Sequence, residues 1–168
     1  MKNTQNKVIF NSEWYNNFVS RSNEKEKIIS ETIGLLGDCS NLSCLEIGMG
    51  TNPFFANSLA KNFEEYTILE KENKPRGSLG HNIRLINSDW ETFESDEKFD
   101  IIIASHVIYY FKDKKKAIDK MLSYLKSNGR LILVVNGKEF DYGLTKDKFA
   151  KIIKRDYVFT YDKLIEIL

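Results

Sequence analysis

The sequence predicts an α/β fold, a doubly wound and mostly parallel β-sheet with helices on both faces. Short, almost purely apolar segments alternate with amphipathic ones over residues 43–135, which is typical of parallel strands joined by crossover helices. A glycine-rich turn directly after the first strand supports the same class. The 168 residues, 42% of them hydrophobic, suffice for one compact domain. We therefore predict a single domain over 1–168, with a helical lid or lead-in at 1–37 and the α/β core at 38–168.

Charge and composition narrow the classes of partner. The chain has 25 Lys+Arg and 24 Asp+Glu, a net charge of +1, so a small molecule fits better than nucleic acid. The aliphatic runs Ile101–Ala104 and Leu131–Val135 are too short to span a membrane. Because no signal-like apolar stretch starts the chain, we expect a cytoplasmic protein in which Cys39 and Cys44 are free thiols. No second Cys/His pair accompanies them, so no metal site is predicted.

The helices and strands are predicted in chain order from periodicity and end signals. The lead-in carries Trp14, Tyr15, Phe18 and Val19 at helical spacing. Asn23 and Glu26 match a capping box for the next helix, which Gly37 ends. The core elements are then strand Ser43–Ile47, helix Pro53–Lys61, strands Tyr66–Leu69, Ile83–Ile86 and Phe99–Ala104, helix Lys115–Lys126 ended by Ser127-Asn128-Gly129, and strand Arg130–Val135. Helical segments are also predicted around Phe149–Ile153 and from Thr160 to Leu168.

The first strand runs into the sequence Glu46-Ile47-Gly48-Met49-Gly50-Thr51-Asn52-Pro53. Two glycines at the carboxyl end of a strand let backbone amides approach a ligand closely. Asn52 and Pro53 then start the next helix as N-cap and first helical residue, with its free N–H groups directed to the same place. This arrangement predicts a site for a small anionic group, and a purely structural turn is the alternative.

Glu70 ends the second strand about twenty residues past the glycines, where an acid can accept hydrogen bonds from both hydroxyls of a ribose. A solvated acid beside Lys71 is the alternative. A nicotinamide dinucleotide would satisfy the turn and the acid as well. However, Pro53 stands where the third glycine of Gly-x-Gly-x-x-Gly is expected, which disfavours a dinucleotide.

Five segments in order resemble the class I S-adenosylmethionine-dependent methyltransferases, from about residue 10 to the end of the chain. CLEIGMGTN resembles their glycine-rich first motif, ILE with Glu70 their ribose-binding acid, and INSDWETF, FDIIIASHVIYYF and LKSNGRLILVV their third, fourth and fifth strand regions. The resemblance implies a Rossmann-like fold, methyl transfer, the cofactor S-adenosylmethionine and the product S-adenosylhomocysteine. YYFKD, NSEWYNNFVSRSNE and YVFTYDKLIEIL resemble histamine N-methyltransferase and related enzymes, which implies a small amine or other small nucleophile as substrate.

The resemblance also implies cofactor-binding roles for residues at the ends of the first four strands. Glu46, Gly48 and Gly50 would surround the methionine part of the cofactor, Glu70 the ribose, Asp89 the adenine amino group and Trp90 the adenine ring, with Ser105 beneath the cofactor. Asp89 follows an apolar strand directly, at the mouth of an open sheet. An N-cap for Trp90–Phe93 is the alternative role for Asp89.

His106, Tyr109 and Tyr110 follow the fourth strand, where the transferable methyl group should point, and are the candidate catalytic residues. Tyrosine rings attract amine cations and their hydroxyls orient a nucleophile, while a histidine can take the proton that the nucleophile loses. A structural histidine and simple packing of one tyrosine are the alternatives. In the lead-in, Glu13 and Tyr15 are assigned to substrate binding, with Glu13 as a carboxylate partner for a cationic substrate or, alternatively, a solvated helix residue.

The usual sheet of this family ends in an antiparallel sixth and seventh strand, for which this sequence shows no segment before Leu168. Either the sequence is a truncated form of a longer chain, or the protein has a five-stranded sheet that lacks the last two strands and leaves the fifth strand with an open edge. The final helix, a second copy in a homodimer or a partner chain should cover that edge. Three other functions stay open: a cofactor-binding module without turnover, methylation of RNA or protein, and NAD-dependent oxidoreduction.

Overall fold

A computed structural model describes residues 13, 17, 20–71, 75, 77–137 and 160–168. Within this part of the chain, five parallel strands form one sheet in the order β3-β2-β1-β4-β5. The elements are α1 Glu24–Leu36, β1 Ser43–Ile47, α2 Phe54–Ala60, β2 Glu65–Glu70, β3 Ile83–Asn87, β4 Phe99–Ser105, a 3-10 helix Ile108–Tyr110, α3 Lys114–Ser123, β5 Leu125–Val134 and α4 Tyr161–Ile167. The strand order reverses between β1 and β4, which confirms the doubly wound α/β prediction.

Helices cover both faces of the sheet. On one face, Leu36 of α1 and Phe55 of α2 belong to one buried apolar cluster. On the other face, Ile118 and Met121 of α3 and Leu164 of α4 belong to a second cluster. Nearly every residue of β1, β2 and β4 is buried, because these central strands are covered from both sides. Among the described helices, none has the length and apolarity of a membrane span.

Some segments predicted from the sequence lie outside the described residues. These are the aromatic lead-in residues Trp14, Tyr15, Phe18 and Val19 and the segment around Phe149–Ile153. The lack of a sixth and seventh strand stays a prediction for the same reason, because residues 138–159 are not described.

The helix ends agree with the sequence signals in part. Gly37 ends α1 with a φ of +71°, as predicted. The predicted capping box at Asn23 is wrong: its φ of −98° and ψ of 18° lie outside the extended region that a capping side chain needs, and no side-chain capping bond forms. At the start of α2, Pro53 takes the N-cap position, yet the Asn52 side chain still accepts a hydrogen bond from the Phe54 N–H at 2.9 Å.

The boundary between α3 and β5 lies earlier than predicted. α3 ends at Ser123 instead of Lys126, and Leu125 already pairs with Phe99 of β4. The register then shifts across residues 126–129 before regular pairing resumes. A Cβ at Gly129 would lie 3.0 Å from two backbone oxygens of β4. Glycine is therefore favoured here by the close approach of two backbones and not by the end of a helix.

β5 is an edge strand of the sheet within the described part of the chain. Leu131 and Leu133 pack against the cluster beneath α3 and α4. α4 starts close to the end of this strand, because the Tyr161 N–H donates to the Asn136 carbonyl at 3.1 Å. The final helix thus packs on one face of the sheet, whereas cover of the strand edge by a second copy or a partner chain stays a prediction.

Both cysteines are free thiols and are buried on the α1 and α2 face. Burial raises the pKa of the Cys44 thiol well above its usual value, and that of Cys39 is raised as well. A thiol in this environment stays protonated and unreactive. Cys44 therefore acts as a small core residue.

Candidate active site

The turn between β1 and α2 contains the two glycines at the carboxyl edge of the sheet. Gly48 and Gly50 have φ values of +80° and +72°, which residues with a side chain rarely adopt. The Gly48 N–H donates to the Leu69 carbonyl at 2.9 Å and so ties the turn to β2. A Cβ at Gly48 would lie 2.5 Å from Cγ2 of Val107. The glycine at 48 is thus required both by the backbone conformation and by the segment that follows β4.

Glu70 contacts this turn directly. Its Oε2 accepts a hydrogen bond from the Gly50 N–H at 2.5 Å, and the residue is only 7% exposed. Glu70 is therefore not a solvated acid, which was the alternative. The predicted ribose-binding acid and the predicted ligand-binding turn meet at the point where open α/β sheets bind their ligands.

Glu46 lies beneath the turn, in the interior. It is 2% exposed, and its Oε2 accepts a hydrogen bond from the Tyr66 hydroxyl at 2.8 Å. Burial raises the pKa of this carboxyl to about 7, against the opposing effects of the Tyr66 hydrogen bond and of Lys25. Lys25 of α1 is buried too, with Nζ 4.8 Å from the centre of the Phe55 ring. This position favours a supporting role for Glu46 over direct contact with a ligand.

Asp89 caps the turn that follows β3. Its Oδ1 accepts a hydrogen bond from the Glu91 N–H at 3.0 Å, and its carbonyl accepts from the N–H groups of Thr92 and Phe93. Its other carboxylate oxygen lies 3.7 Å from Nζ of Lys71. Asp89 therefore caps a turn at 90–92 and not the helix for which the sequence left it open as N-cap, and its other carboxylate oxygen faces a half-exposed ion pair.

Trp90 points into the core. It is 3% exposed, its indole N–H donates to the Ala117 carbonyl at 3.2 Å, and its ring lies 6.0 Å from that of Phe93 and 5.7 Å from that of Tyr124. A ring held on all sides by α3 and the core aromatics cannot also cover an adenine at the surface. This packing favours a structural role over the contact with adenine implied by the resemblance.

Ser105 ends β4 and His106 follows it, at the same edge of the sheet as the glycine turn. The Ser105 hydroxyl is buried and has no hydrogen-bond partner within the described residues, which fits a site that a ligand group completes. His106 has a φ of +54° and is the one non-glycine residue with a positive φ in the described part of the chain. Such a conformation costs about 1–2 kcal/mol and tends to occur at functional sites.

The three candidate catalytic residues lie together. His106 Nδ1 is 3.3 Å from the Tyr109 hydroxyl, and the two rings stack at 6.1 Å. The Tyr109 hydroxyl also accepts a hydrogen bond from the Asn136 N–H at 2.8 Å, while the Tyr110 ring meets that of Tyr109 edge-on at 6.5 Å. On its other side, His106 Nε2 is 3.6 Å from Oε1 of Glu24.

Sequence reasoning missed Glu24 and Lys25 in the first turn of α1. Glu24 faces His106, and burial raises the pKa of its carboxyl against the opposing charge of Lys25. Burial in turn lowers the pKa of Lys25, which Glu46 and Glu24 oppose. The one signal in the sequence was their place directly after the helix start at Asn23, and charged residues there are ordinarily solvated.

The structure does not test the roles of the two residues assigned to substrate binding. Glu13 is exposed, and Tyr15 lies outside the described residues. Both assignments stay predictions.

This chain is similar in sequence to known methyltransferases. A family model described as a methyltransferase domain matches residues 17–156. The ubiquinone biosynthesis O-methyltransferase of Rickettsia conorii is 27% identical over 126 residues, which cover 68% of this chain and 42% of that protein. The malonyl-[acyl-carrier protein] O-methyltransferase 2 of Ilyobacter polytropus is 26% identical over 103 residues, which cover 56% of this chain and 39% of that protein. The chain thus spans about two fifths of these relatives.

Solved structures share the fold. The N-methyltransferase NodS from Bradyrhizobium japonicum WM9, in complex with S-adenosylhomocysteine, superposes with a TM-score of 0.68 at 22% identity, over 90% of this chain and 76% of that chain. The plantazolicin methyltransferase BpumL, also bound to S-adenosylhomocysteine, superposes with a TM-score of 0.69 at 16% identity, over 93% and 67%. With the matched domain and the glycine turn in place, the chain belongs to the methyltransferase domain family and has the class I fold of the S-adenosylmethionine-dependent methyltransferases.

Proposed function

We propose that this chain binds S-adenosylmethionine at the carboxyl edge of its sheet and transfers the methyl group to a nitrogen or oxygen atom of a small molecule. The observation that carries the proposal is the contact between the Glu70 carboxylate and the Gly50 N–H. This contact supports the proposal because it joins the acid that would bind the ribose to the turn that would bind the methionine part. When bound, the cofactor supplies an electrophilic methyl group and leaves as S-adenosylhomocysteine.

The residues at this edge suit that cofactor. The turn has no side chain of its own at Gly48 or Gly50 and would offer its backbone to the methionine part of the cofactor. Glu70 would hold the ribose hydroxyls, and the Asp89 oxygen that forms the half-exposed ion pair with Lys71 would accept a hydrogen bond from the adenine amino group. The buried hydroxyl of Ser105 offers a further polar contact beneath the cofactor.

A small-molecule acceptor is supported by charge, by the aromatic cluster and by the relatives. The net charge of +1 provides no bulk attraction for nucleic acid. The cluster of His106, Tyr109 and Tyr110 offers ring faces that attract amine cations and hydroxyls that orient a nucleophile. Among similar proteins, NodS is described as an N-methyltransferase and the Rickettsia protein as an O-methyltransferase of ubiquinone biosynthesis. Holding such an acceptor close to the methyl group would supply much of the rate acceleration.

Calorimetric titration with S-adenosylmethionine, S-adenosylhomocysteine and NAD tests the cofactor site. We expect micromolar binding of the first two and none of NAD, and a loss of about tenfold or more in Glu70→Ala, because this variant removes the ribose-binding carboxylate. Glu64→Ala is the matched control, since Glu64 is an exposed acid just before the opposite end of β2. Its affinity should equal that of the wild type.

Each other outcome contradicts a defined part of the proposal. Absence of binding by both adenosyl ligands would mean that the glycine turn is only structural. Binding without methyl transfer to amine, catechol or phenol acceptors would indicate a binding module. Methyl transfer to RNA or protein but to no small molecule would mean that the acceptor is a macromolecule, against the proposal.

Trp90→Phe separates a core role from an adenine role for this residue. We expect the free energy of unfolding to fall by about 1–2 kcal/mol, because the Ala117 carbonyl loses the indole N–H and a small gap opens in the core. The affinity for S-adenosylmethionine should stay within about twofold, as urea denaturation and calorimetry would show. An affinity loss of about tenfold at unchanged stability would instead assign Trp90 to the adenine.

A further inference from the structure

We propose that Tyr109, His106 and Glu24 form a proton relay for methyl transfer, in which the Tyr109 hydroxyl takes the proton from the acceptor and passes its own to His106. The inference rests on the proposed function and deepens it. Tyr109 is the catalytic residue of the relay, and His106 and Glu24 act through it as positioning residues. Glu24 is the member that the sequence did not indicate.

The directions of the hydrogen bonds follow from the groups that can only donate or only accept. The Asn136 N–H can only donate, so the Tyr109 oxygen accepts it at 2.8 Å. The Glu24 carboxylate lies 3.6 Å from Nε2 of His106, which is longer than a hydrogen bond, and its negative charge favours the imidazole proton on that nitrogen. Nδ1 is then an acceptor, and the Tyr109 hydroxyl donates to it across 3.3 Å.

The backbone holds the members in place from separate parts of the fold. His106 is fixed in a left-handed conformation after β4, where its N–H donates to the Val134 carbonyl of β5 at 2.9 Å. Tyr109 lies in the 3-10 helix that follows and is held by its bond to the Asn136 N–H. Glu24 comes from the first turn of α1. His106 thus has a strained backbone, and its side chain contacts Tyr109 and Glu24. This combination indicates that the orientation of the imidazole ring is needed for function.

The proposed step balances in bonds and charge. The acceptor's N–H or O–H bond breaks and its proton forms a new O–H bond on Tyr109, while the original phenol proton forms an N–H bond at Nδ1 of His106. His106 becomes an imidazolium with a proton on each nitrogen and pairs with the Glu24 carboxylate. The positive charge that the methyl transfer removes from the sulfonium thus reappears on His106. The relay resembles a carboxylate–imidazole pair that activates a hydroxyl, with tyrosine as the terminal group.

Other charged groups at this edge act on the Glu24 carboxyl and its neighbours. Lys25 lies next to Glu24 in α1 and opposes the rise in the pKa of that carboxyl. Glu46 at the end of β1 couples to both Lys25 and Glu70. Within the described residues, Glu24 is the acid within 4 Å of the imidazole, which makes it the group to change.

Imidazole 15N NMR of the full chain without ligand tests the relay independently of activity. The chain has two histidines, and the exposed His81 provides an internal reference. At about pH 8, where a free histidine is neutral, we expect His106 as the Nε2–H tautomer. Glu24→Gln should raise the Nδ1–H population, and Tyr109→Phe should move the Nδ1 shift, whereas Glu26→Gln, an exposed acid on the same helix, should do neither. A wild-type Nδ1–H tautomer overturns the relay.

Kinetics with S-adenosylmethionine and a primary amine or a catechol as acceptor probe give the second readout. We expect Tyr109→Phe and Glu24→Gln each to lower kcat by roughly 10- to 100-fold with the KM for the cofactor nearly unchanged, and the double variant to be no worse than the poorer single one. With the catechol probe the deficit should shrink towards about pH 10, because the catechol hydroxyl is then ionised without the relay. Thermal unfolding confirms that each variant is folded, and Tyr161→Phe is the control for loss of an exposed phenol.

The outcomes separate the relay from the proposed function. Wild-type rates in both variants, or a deficit that is the same at every pH, overturn the relay and leave the methyltransferase proposal in place. A wild-type chain that binds the cofactor but methylates no probe overturns the proposed function, and the catalytic role of the relay with it.

Discussion

Replacement of Gly48 by alanine is expected to lower the free energy of unfolding by about 3 kcal/mol and to abolish binding of S-adenosylmethionine. The φ of +80° costs a residue with a side chain about 1–2 kcal/mol. The new methyl group would also lie 2.5 Å from Cγ2 of Val107, and overpacking of this kind costs about 1–3 kcal/mol. Urea denaturation measures the loss of stability, and calorimetric titration measures the loss of binding.

Two further variants separate the strain of the positive φ from the clash with Val107 as causes of the lost stability. Val107→Ala in the Gly48→Ala background removes the clashing methyl groups and should recover about half of the lost stability, while the strain from φ remains. Gly34→Ala is the matched control, because a Cβ at Gly34 within α1 meets nothing within 4 Å, and alanine in a helix should stabilise by up to about 1 kcal/mol. A Gly48→Ala variant as stable as the wild type would contradict the required turn conformation.

The sheet and its glycine turn could be predicted because both are specified by short segments. β1 and β4 are covered on both faces, so their sequences are mostly apolar, as in Cys44-Leu45 and Ile101–Ala104, and indicate a parallel sheet. Gly48 and Gly50 mark a turn that the chain makes with positive φ values. The place of Glu70 beside this turn could be predicted too, since the carboxyl ends of neighbouring parallel strands meet at one edge of the sheet.

The orientation of side chains at this edge could not be predicted, because partners distant in sequence decide it. Trp90 follows a strand end like a ligand-binding residue, yet the Ala117 carbonyl and the Tyr124 ring draw it into the core. Glu24 has the sequence context of a solvated helix residue, and only the packing of α1 on the sheet brings it to His106. Local patterns contain no information about such contacts.

The second large effect is expected from the buried Glu46, as a loss of stability with rising pH. An unperturbed glutamate has a pKa of 4.5, whereas burial raises the pKa of Glu46 in the fold to about 7. Between these values the folded chain keeps a proton that the unfolded chain releases. The free energy of unfolding therefore falls as the pH rises through this window and levels off above about pH 7, by about 3 kcal/mol in total.

Glu46→Gln isolates this contribution. The amide keeps an oxygen for the Tyr66 hydroxyl but has no proton to lose, so the variant should lack most of the fall between pH 5 and 8 in urea denaturation. Glu64→Gln, an exposed acid, should follow the wild type, and a Glu46→Gln curve parallel to the wild type would refute the assignment. Because the charge of Lys25 is among the causes that lower the pKa of Glu46, Lys25→Met should move the fall to higher pH. In that variant the carboxyl beneath the cofactor turn would keep its proton to a higher pH than in the wild type, because burial would act on it without the opposing charge of Lys25.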